Sequence, residues 1–358
     1  MPNLNYAEVW SPELLEILMQ GSLTSPFITS NVRWLDAKTF HFTQMSTSGY
    51  KNHSRNGGWN KGDYVQKDVP FTLTHDRDIQ FMVDKADVDE TNSTSSIQNI
   101  SRIFEQTQVV PETDALFFSK VAQAALAVAG YHSSTAAATG YTKAKVFGAL
   151  KDILAKGKLR RYKANGSLIM YVTSAIMDAL EQSTEFTRKI EMTQIAEGGL
   201  GIETRVTDID GVPIMEVIDD ERFYDAFDWN TEDGGFVPQK AAYVKTADTD
   251  IVSGKDYYTE SGGTYTKVTS PAKASLGSYY EKVAGAHKIN VLVACGQTCK
   301  TVPKISSIYY FEPGAHTEGD GYLYQNRSLS DVFVFPNGRD GKIDSIYVDV
   351  DTEEYAGE

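Results

Sequence analysis

A long stretch rich in Gly, Ser and Asn, between two segments of alternating apolar residues, constrains the fold more than any other feature. Phe40 and Phe42 alternate with polar residues before it, and Val69 and Phe71 alternate after it. Alternation with a period of two predicts β-strands, and the glycines of 46–63 predict a turn. Two strands are therefore expected over 40–83, joined as one long hairpin.

A two-stranded ribbon has little core of its own and is marginally stable in water. The hairpin therefore needs support from the body of the same chain or from a neighbouring subunit. Residues near its tip are our candidates for contact between subunits, and they are Tyr50, Lys51, Trp59 and Lys61.

An amphipathic helix is predicted at 12–20, near the start of the chain. Ser11 is a suitable N-cap, Pro12 occupies the first helical position, and Gly21 ends the helix. Its apolar face also needs a partner. The further candidates for intersubunit contact are Leu14, Leu15 and Leu18.

Helical spacing dominates the segment that follows the hairpin. Ile97, Ile100 and Phe104 share one helix face, and the same spacing resumes after Pro111. Because proline lacks the backbone donor of a helix interior, we expect a long helix with a break at Pro111. Gly130 is the expected end.

The remainder predicts a mixed α/β unit and then mostly strands. A helix is expected at 146–154, a buried strand at 168–172, and a short helix capped by Ser174. Asp210-Gly211 predicts a tight hairpin turn. Further strands are expected at 288–294, 305–311, 321–335 and 343–350. The fold class is therefore α+β.

The composition changes to Tyr, Thr, Ser and Gly between 246 and 282, which indicates an inserted β-rich module. Its tyrosines could fill a small β core, or their rings could stack on sugars. Two hypotheses for the module therefore stay open. It is either a surface that binds a ligand or a decoration on the exterior. The candidate binding residues are Tyr257, Tyr258, Tyr265 and Tyr279.

Composition argues against several classes of function. The net charge of −14 opposes tight binding to nucleic acid, because like charges repel. The longest apolar stretch, at 121–131, is too short to cross a bilayer, and no signal peptide is evident. Location in the cytosol that makes the chain is therefore expected, and no membrane partner is expected.

No enzyme, metal or cofactor site is expected. The six histidines are scattered without a nucleophile motif or metal-ligand spacing. Cys295 and Cys299 have no second cysteine pair, so two reduced thiols at a strand end are the better interpretation. The acidic groups at 208–210, 219–221 and 349–351 are better explained as solvated turns than as calcium loops.

Three motifs, in this order, carry a resemblance to a known family. They are Gln108-Val109-Val110-Pro111-Glu112-Thr113-Asp114 leading into Phe118-Ser119-Lys120, the hairpin Asp208-Ile209-Asp210-Gly211-Val212-Pro213-Ile214, and Ile308-Tyr309-Tyr310-Phe311. With the arm and the long hairpin, they resemble the capsid proteins of tailed phages of the Hong Kong ninety-seven type. The resemblance covers nearly the whole chain except 246–282.

The resemblance implies a division of the chain into parts. These are an N-terminal arm at 1–39, an extended loop at 40–84, a peripheral domain with a spine helix at 85–135 and 301–336, an axial domain at 136–245, 283–300 and 337–358, and the inserted module at 246–282. In that family the extended loop lies across an adjacent subunit, which agrees with the need of the ribbon for support.

The function implied is that of a major capsid protein, whose pentamers and hexamers form an icosahedral shell around the genome. Its partners would be copies of itself, a separate scaffolding protein and a portal, with weak non-specific contact to packaged DNA. Its place would be the virion, assembled in the host bacterial cytoplasm. The alternatives are an encapsulin-type cargo compartment and, in a different class, a carbohydrate-binding surface protein.

Overall fold

A computed structural model of the protein describes residues 21–29, 38–53, 57, 59–86, 97–183, 190–193, 204–229, 231, 234–337 and 341–356. The predicted arm helix at 12–20 lies outside these residues, as do Leu14, Leu15 and Leu18. No helix in the described ranges is both long and apolar enough to cross a bilayer.

Strands make up most of the regular structure. They are β1 (Thr39–Thr47), β2 (Tyr64–Thr72), β3 (His75–Asp84), β4 (His132–Ser134), β5 (Leu168–Thr173), β6 (Ile190–Thr193), β7 (Thr204–Ile209), β8 (Val212–Val217), β9 (Phe227–Asp228), β10 (Val237–Pro238), β11 (Ala242–Lys245), β12 (Tyr258–Ser261), β13 (Thr264–Lys267), β14 (Tyr279–Val283), β15 (His287–Cys295), β16 (Cys299–Phe311), β17 (Gly321–Val334) and β18 (Tyr347–Glu354). The α-helices are α1 (Ile97–Phe104), α2 (Val110–Leu126), α3 (Ala137–Gly140), α4 (Val146–Ala155), α5 (Leu159–Ala164) and α6 (Ser174–Glu181).

A seven-stranded mixed sheet, in the order β4-β18-β15-β5-β8-β7-β6, forms the centre of the molecule. Its interior strand β15, which lies between β18 and β5, is apolar on both faces. Val291 and Val293 face the core that contains Leu150 of α4, whereas Leu292 faces the core that contains Phe118 of α2. Both faces of the sheet are covered, which explains why the sequence there is continuously apolar rather than alternating.

The long helix is continuous, with α1 and α2 joined by a π turn at Glu105–Val109. Val109 and Val110 keep helical backbone angles, so Pro111 begins α2 without ending the helix. At the expected break the helix is not interrupted but widens locally into the π turn. The backbone N–H that Pro111 lacks falls at the point where the helix hydrogen-bond pattern changes. The helix ends at Leu126, earlier than the predicted Gly130, which lies beyond it with φ of 85°.

The predicted long hairpin is confirmed as a ribbon of β1 and β2, paired in register from Thr39 opposite Thr72 to Thr47 opposite Tyr64. The expectation of two strands over 40–83 is wrong, because three are present. Strand β3 leaves the ribbon and pairs with β17 in the sheet β16-β17-β3. Thr74 fixes this change, since its backbone N–H and its hydroxyl both donate to Asp331.

The inserted segment forms its own four-stranded sheet, in the order β11-β14-β12-β13. The prediction of a β-rich module is confirmed, although the sheet is wider than 246–282 and includes Ala242–Lys245 and Val283. It has a separate small core of Tyr257, Leu276 and Tyr279.

Two local predictions have different outcomes. The turn at Asp210-Gly211 is confirmed, with φ of 53° and 77°, the pair of left-handed residues of a tight hairpin. Ser174 is not the N-cap of α6 but its first residue, and its hydroxyl donates to the carbonyl oxygen of Val217. The final strand begins at Tyr347 instead of 343.

Candidate functional site

The ribbon is attached to the body at its base by aromatic packing. Phe40 and Phe71 lie 5.5 Å apart between ring centroids. Phe333 of β17 contacts both rings edge-on, at 5.2 Å and 5.3 Å, and Phe335 lies 5.2 Å from Phe71. Phe40 is buried and the other three rings are partly buried, and their packing fixes the direction in which the ribbon leaves the body.

Hydrogen bonds within the tip of the ribbon order it, but its aromatic side chains are not buried by the described residues of the same chain. The ammonium of Lys51 donates to the carbonyl oxygen of Lys61 at 2.8 Å, and Asn60 donates to that of Asn52. Tyr50 is 110% exposed and Trp59 is 96% exposed. Lys51 and Lys61 are thus in contact in the tip, and Tyr50 and Trp59 are exposed beside them in the chain. The role of these four residues in contact between subunits stays a prediction.

A second exposed surface lies at the far end of the sheet β16-β17-β3. Strand β16 is an edge strand. Near its C-terminal end, Ile308, Tyr309 and Tyr310 are 53%, 55% and 43% exposed. An exposed apolar edge strand is a template for association with another chain. In the sequence these residues are part of a motif that does not by itself predict an interface.

Asp114 anchors the segment that leads out of the N-terminal region. This fully buried carboxylate accepts hydrogen bonds from the backbone of Leu23 and Thr24, from the hydroxyls of Ser22 and Thr24, and from the guanidinium of Arg222 at 3.0 Å. Leu23 and Phe27 are buried beside it. The start of the described chain is therefore held in the main core.

A second buried carboxylate, Asp349, joins three parts of the seven-stranded sheet. It accepts hydrogen bonds from Thr135 and Tyr141 at 2.8 Å each, from Asn290 at 3.0 Å, and from Ser133. It was predicted to lie in a solvated acidic turn, and that prediction is wrong because Asp349 is fully buried. Its four donors occupy the oxygens that a calcium ion would need.

A groove of about 560 Å³ separates the long helix from strands β3 and β17. Glu112 of α2 reaches across it, to Nε2 of His75 at 2.9 Å and to Nε of Arg77 at 3.0 Å. Arg77 also donates to the carbonyl oxygens of Trp229 and Gly235. These contacts link β3 to the helix and to Trp229 and Gly235. Glu112, His75 and Arg77 therefore hold the sheet on the helix.

The tyrosines of the inserted module fall into two sets. Tyr257 and Tyr279 are 0% and 5% exposed and fill the core, so the hypothesis that they bind a ligand at the surface is wrong. Tyr258 and Tyr265 lie on the opposite face of the sheet with Tyr243 and Tyr280. The rings of Tyr243 and Tyr265 are parallel at 4.0 Å, a contact that the predicted module boundary at 246 excluded.

The two cysteines are buried thiols at the turn between β15 and β16. Burial raises the pKa of the Cys299 thiol to about 12. The thiolate, which is the reactive form, is therefore scarce at neutral pH. Within the described residues, no group of three or more His, Cys, Asp and Glu side chains is arranged to hold a metal ion.

The buried hydroxyl of Tyr171 predicts a loss of stability in alkali. It donates to the carbonyl oxygen of Leu23 at 2.8 Å, and burial raises its pKa well above the usual value near 10. Below pH 10 the Tyr171 hydroxyl is protonated in both the folded and the unfolded chain, so its contribution to the free energy of unfolding is fully present. Above pH 10 only the unfolded chain releases the proton, so that contribution is lost progressively. The free energy of unfolding should then fall by about 1.4 kcal/mol per pH unit from this group.

Urea unfolding between pH 9 and pH 11 measures this effect. Tyr171→Phe should remove that part of the slope, whereas Tyr50→Phe, at a fully exposed position, should leave the slope unchanged. An identical slope in wild type and Tyr171→Phe would contradict the assignment.

Comparisons of the whole fold with solved structures find phage capsids. The chain is similar to a structure described as the asymmetric unit of the bacteriophage PhiM1 mature capsid, with 12% identity, a TM-score of 0.55, and coverage of 97% of this chain and 92% of the other. It is also similar to the capsid structure of the cyanophage P-SCSP1u, with 11% identity, a TM-score of 0.57, and coverage of 97% and 93%.

A structure from Mycobacterium phage Che8 matches over 98% of both chains, with 11% identity and a TM-score of 0.52. No model of a known protein family matches the sequence, and no curated protein matches it either. At identities this low, the similarity shows a shared fold. The predicted capsid-type α+β fold is therefore confirmed.

Proposed function

We propose that this chain, which has the fold of phage capsid structures along nearly its whole length, is a major capsid protein that assembles into an icosahedral shell. The observation that carries the proposal is the ribbon with its fully exposed Trp59 and Tyr50, since a two-stranded ribbon beyond its packed base is only marginally stable unless a second body covers it. A shell of identical subunits supplies such a body for every ribbon.

The division that the resemblance implies is part of the proposal. The long helix and the sheet β16-β17-β3 would form the peripheral domain, and the seven-stranded sheet would form the axial domain. The ribbon would be the extended loop, although the range 40–84 also contains β3. Residues 1–39 would be the arm, and 246–282 with its flanking strands the inserted module.

Assembly of the shell requires association and no bond chemistry. Pentamers and hexamers would close through heterologous contacts, in which the ribbon of one subunit meets a different surface on the next. Each contact can be weak, because a subunit held by several neighbours gains from multivalency. This agrees with a ribbon that is attached to its own body only through its base.

The partners of such a subunit would be other copies of itself, a scaffolding protein and a portal. Packaged DNA would make weak, non-specific contact, because a chain with a net charge of −14 repels phosphate. The chain would work in the virion after assembly in the host cytoplasm, and it would not be an enzyme. The phage origin of the similar structures favours this role over a cellular compartment.

Electron microscopy of the purified chain, with and without a candidate scaffolding protein, tests the proposal. We expect closed shells or capsomer rings. A matched variant replaces 48–63 by Asn-Gly, a two-residue turn that joins the paired ends Thr47 and Tyr64. This variant should keep the unfolding midpoint of the wild type and yield no shells. Monomers of the wild-type chain under both conditions would contradict the proposed function.

A further inference from the structure

The four-stranded sheet of the inserted module has one face that the small core of the module does not use. Residues directly opposite each other in antiparallel strands project from the same face, and Tyr258 lies opposite Tyr280. The buried Tyr257 and Tyr279 are their neighbours along the chain and project from the other face. The register of the four strands places four tyrosines on the face away from the core, which we call the tyrosine face: Tyr243, Tyr258, Tyr265 and Tyr280.

The four rings of the tyrosine face form one continuous cluster. Strands β11 and β13 are the outer strands of the sheet and lie about 14 Å apart, at about 4.8 Å per strand spacing. The rings of Tyr243 and Tyr265 are nevertheless stacked at 4.0 Å, so both side chains reach across the inner strands. Tyr258 meets Tyr243 edge-on at 5.1 Å, and Tyr280 meets Tyr265 at 5.2 Å. Each ring is partly exposed, so the cluster is an aromatic platform that its own packing orders.

The hydroxyls distinguish the tyrosine face from the core of the module. In the core, the hydroxyl of Tyr257 donates to Asp248 at 2.7 Å, and that of Tyr279 accepts from the backbone N–H of Ala272 at 3.1 Å. On the tyrosine face, none of the four hydroxyls has a hydrogen-bond partner among the residues that the structure describes. A phenol hydroxyl can both donate and accept, so these four groups are open to a polar ligand.

The charges on the tyrosine face are balanced. Lys282 donates to both carboxylate oxygens of Glu354 at 2.7 Å, and Lys267 is paired with Asp256. With the two charged groups that remain on this face, the lysines and carboxylates are equal in number: Lys245, Lys267 and Lys282 against Asp256, Glu260 and Glu354. A surface without net charge does not attract a polyanion, and the chain as a whole, at −14, repels one. The charge balance therefore favours an uncharged ligand over nucleic acid or an anionic membrane.

We propose that the tyrosine face binds a neutral polysaccharide. A sugar ring has apolar C–H patches, which pack on aromatic rings, and a rim of hydroxyls, which bond to the phenol hydroxyls. The ion pairs beside the rings present donors and acceptors side by side, which matches the dual character of sugar hydroxyls. Because the rings already pack on one another, little side-chain freedom is lost on binding. This binding site adds a second function to the chain and does not rest on the proposed assembly into a shell.

Affinity electrophoresis of the unassembled full chain tests the inference. The native gels contain dextran, mannan or galactan, which are neutral polysaccharides with different hydroxyl orientations, or polygalacturonate as a charged counterpart. We expect at least one neutral polysaccharide to retard the wild-type chain. Tyr265→Ala should weaken that binding by about tenfold, because it removes one ring of the stacked pair. Tyr258→Phe should weaken it by about threefold, because it removes one hydroxyl and keeps the ring.

Tyr309→Ala is the matched control, since Tyr309 is an exposed tyrosine of β16 outside the module, and it should bind as the wild type does. The unfolding midpoint checks the fold of each variant. If Tyr265→Ala unfolds the module, Tyr258→Phe decides the matter, because it keeps every ring. No retardation by a neutral polysaccharide, retardation by polygalacturonate alone, or wild-type binding by both variants overturns the inference and leaves the proposed function standing. Loss of shells from Tyr265→Ala at an unchanged unfolding midpoint also overturns it, because the face is then an interface between copies of the chain.

Discussion

Asp114→Ala should lower the free energy of unfolding by about 3–5 kcal/mol. The substitution removes the buried counter-charge of the Arg222 guanidinium, which is 1% exposed and then keeps its ion pair with the partly exposed Asp219. Removing one partner of a buried ion pair has a cost of this size. It also removes the acceptor of Leu23 and Thr24, so the segment at 22–28 should detach from the core.

Urea unfolding of the unassembled chain measures the loss, and hydrogen exchange at 22–28 measures the detachment. Asp76→Ala is the control, because its ion pairs with Lys38 and Arg327 are partly exposed and such pairs contribute about 0.2–1 kcal/mol. Equal losses from the two substitutions would show that the Asp114 cluster has no special role in anchoring the arm.

Asp349→Ala should lower the free energy of unfolding by about 3–5 kcal/mol as well. Four donors converge on this buried carboxylate, and each hydrogen bond to a charged group contributes about 1.5–3 kcal/mol, with less than additive effect. Asp349→Asn should also destabilise the protein, because its amide places two further donors among groups that already donate.

The control for this prediction lies two residues along the same strand. Asp351 accepts hydrogen bonds only from its neighbours Thr352 and Glu353 in the described contacts, so Asp351→Ala should change the stability by about 0.5 kcal/mol or less. Thermal or urea unfolding of the three variants separates the two aspartates. A loss below about 1 kcal/mol for Asp349→Ala would contradict a structural role for this cluster.

The two buried carboxylate clusters have the same structural role, which is to join separate segments of the body. Asp114 connects the N-terminal segment, the long helix and the turn at Asp220–Arg222, and Asp349 connects β18, β15 and the segment at 133–141. Each cluster therefore ties together segments of the body that are far apart along the chain.

Much of the fold could be predicted from local pattern. Alternation at 40–42 and 69–71 predicts the ribbon, the spacing of Ile97, Ile100 and Phe104 predicts the long helix, and Asp210-Gly211 predicts its turn. Each of these signals depends on neighbours within a few residues, because strand and helix periods are short-range properties of the backbone. The same local reasoning placed Tyr50, Lys51, Trp59 and Lys61 on one exposed tip.

What the sequence did not reveal depends on groups far apart along the chain. Strand β3 departs from the ribbon because Thr74 meets Asp331, and the tyrosines of the module divide into core and surface only once the sheet is paired. Asp114 pairs with Arg222, which lies 108 residues away in the sequence, and Tyr141 donates to Asp349, which lies 208 residues away.

The sequence by itself therefore determined the elements, the exposed ribbon and the resemblance to a capsid fold. Only the tertiary structure decided which carboxylates are buried and which edge is left open. Burial and pairing are set by the packing of distant segments, and no periodicity along the chain encodes them.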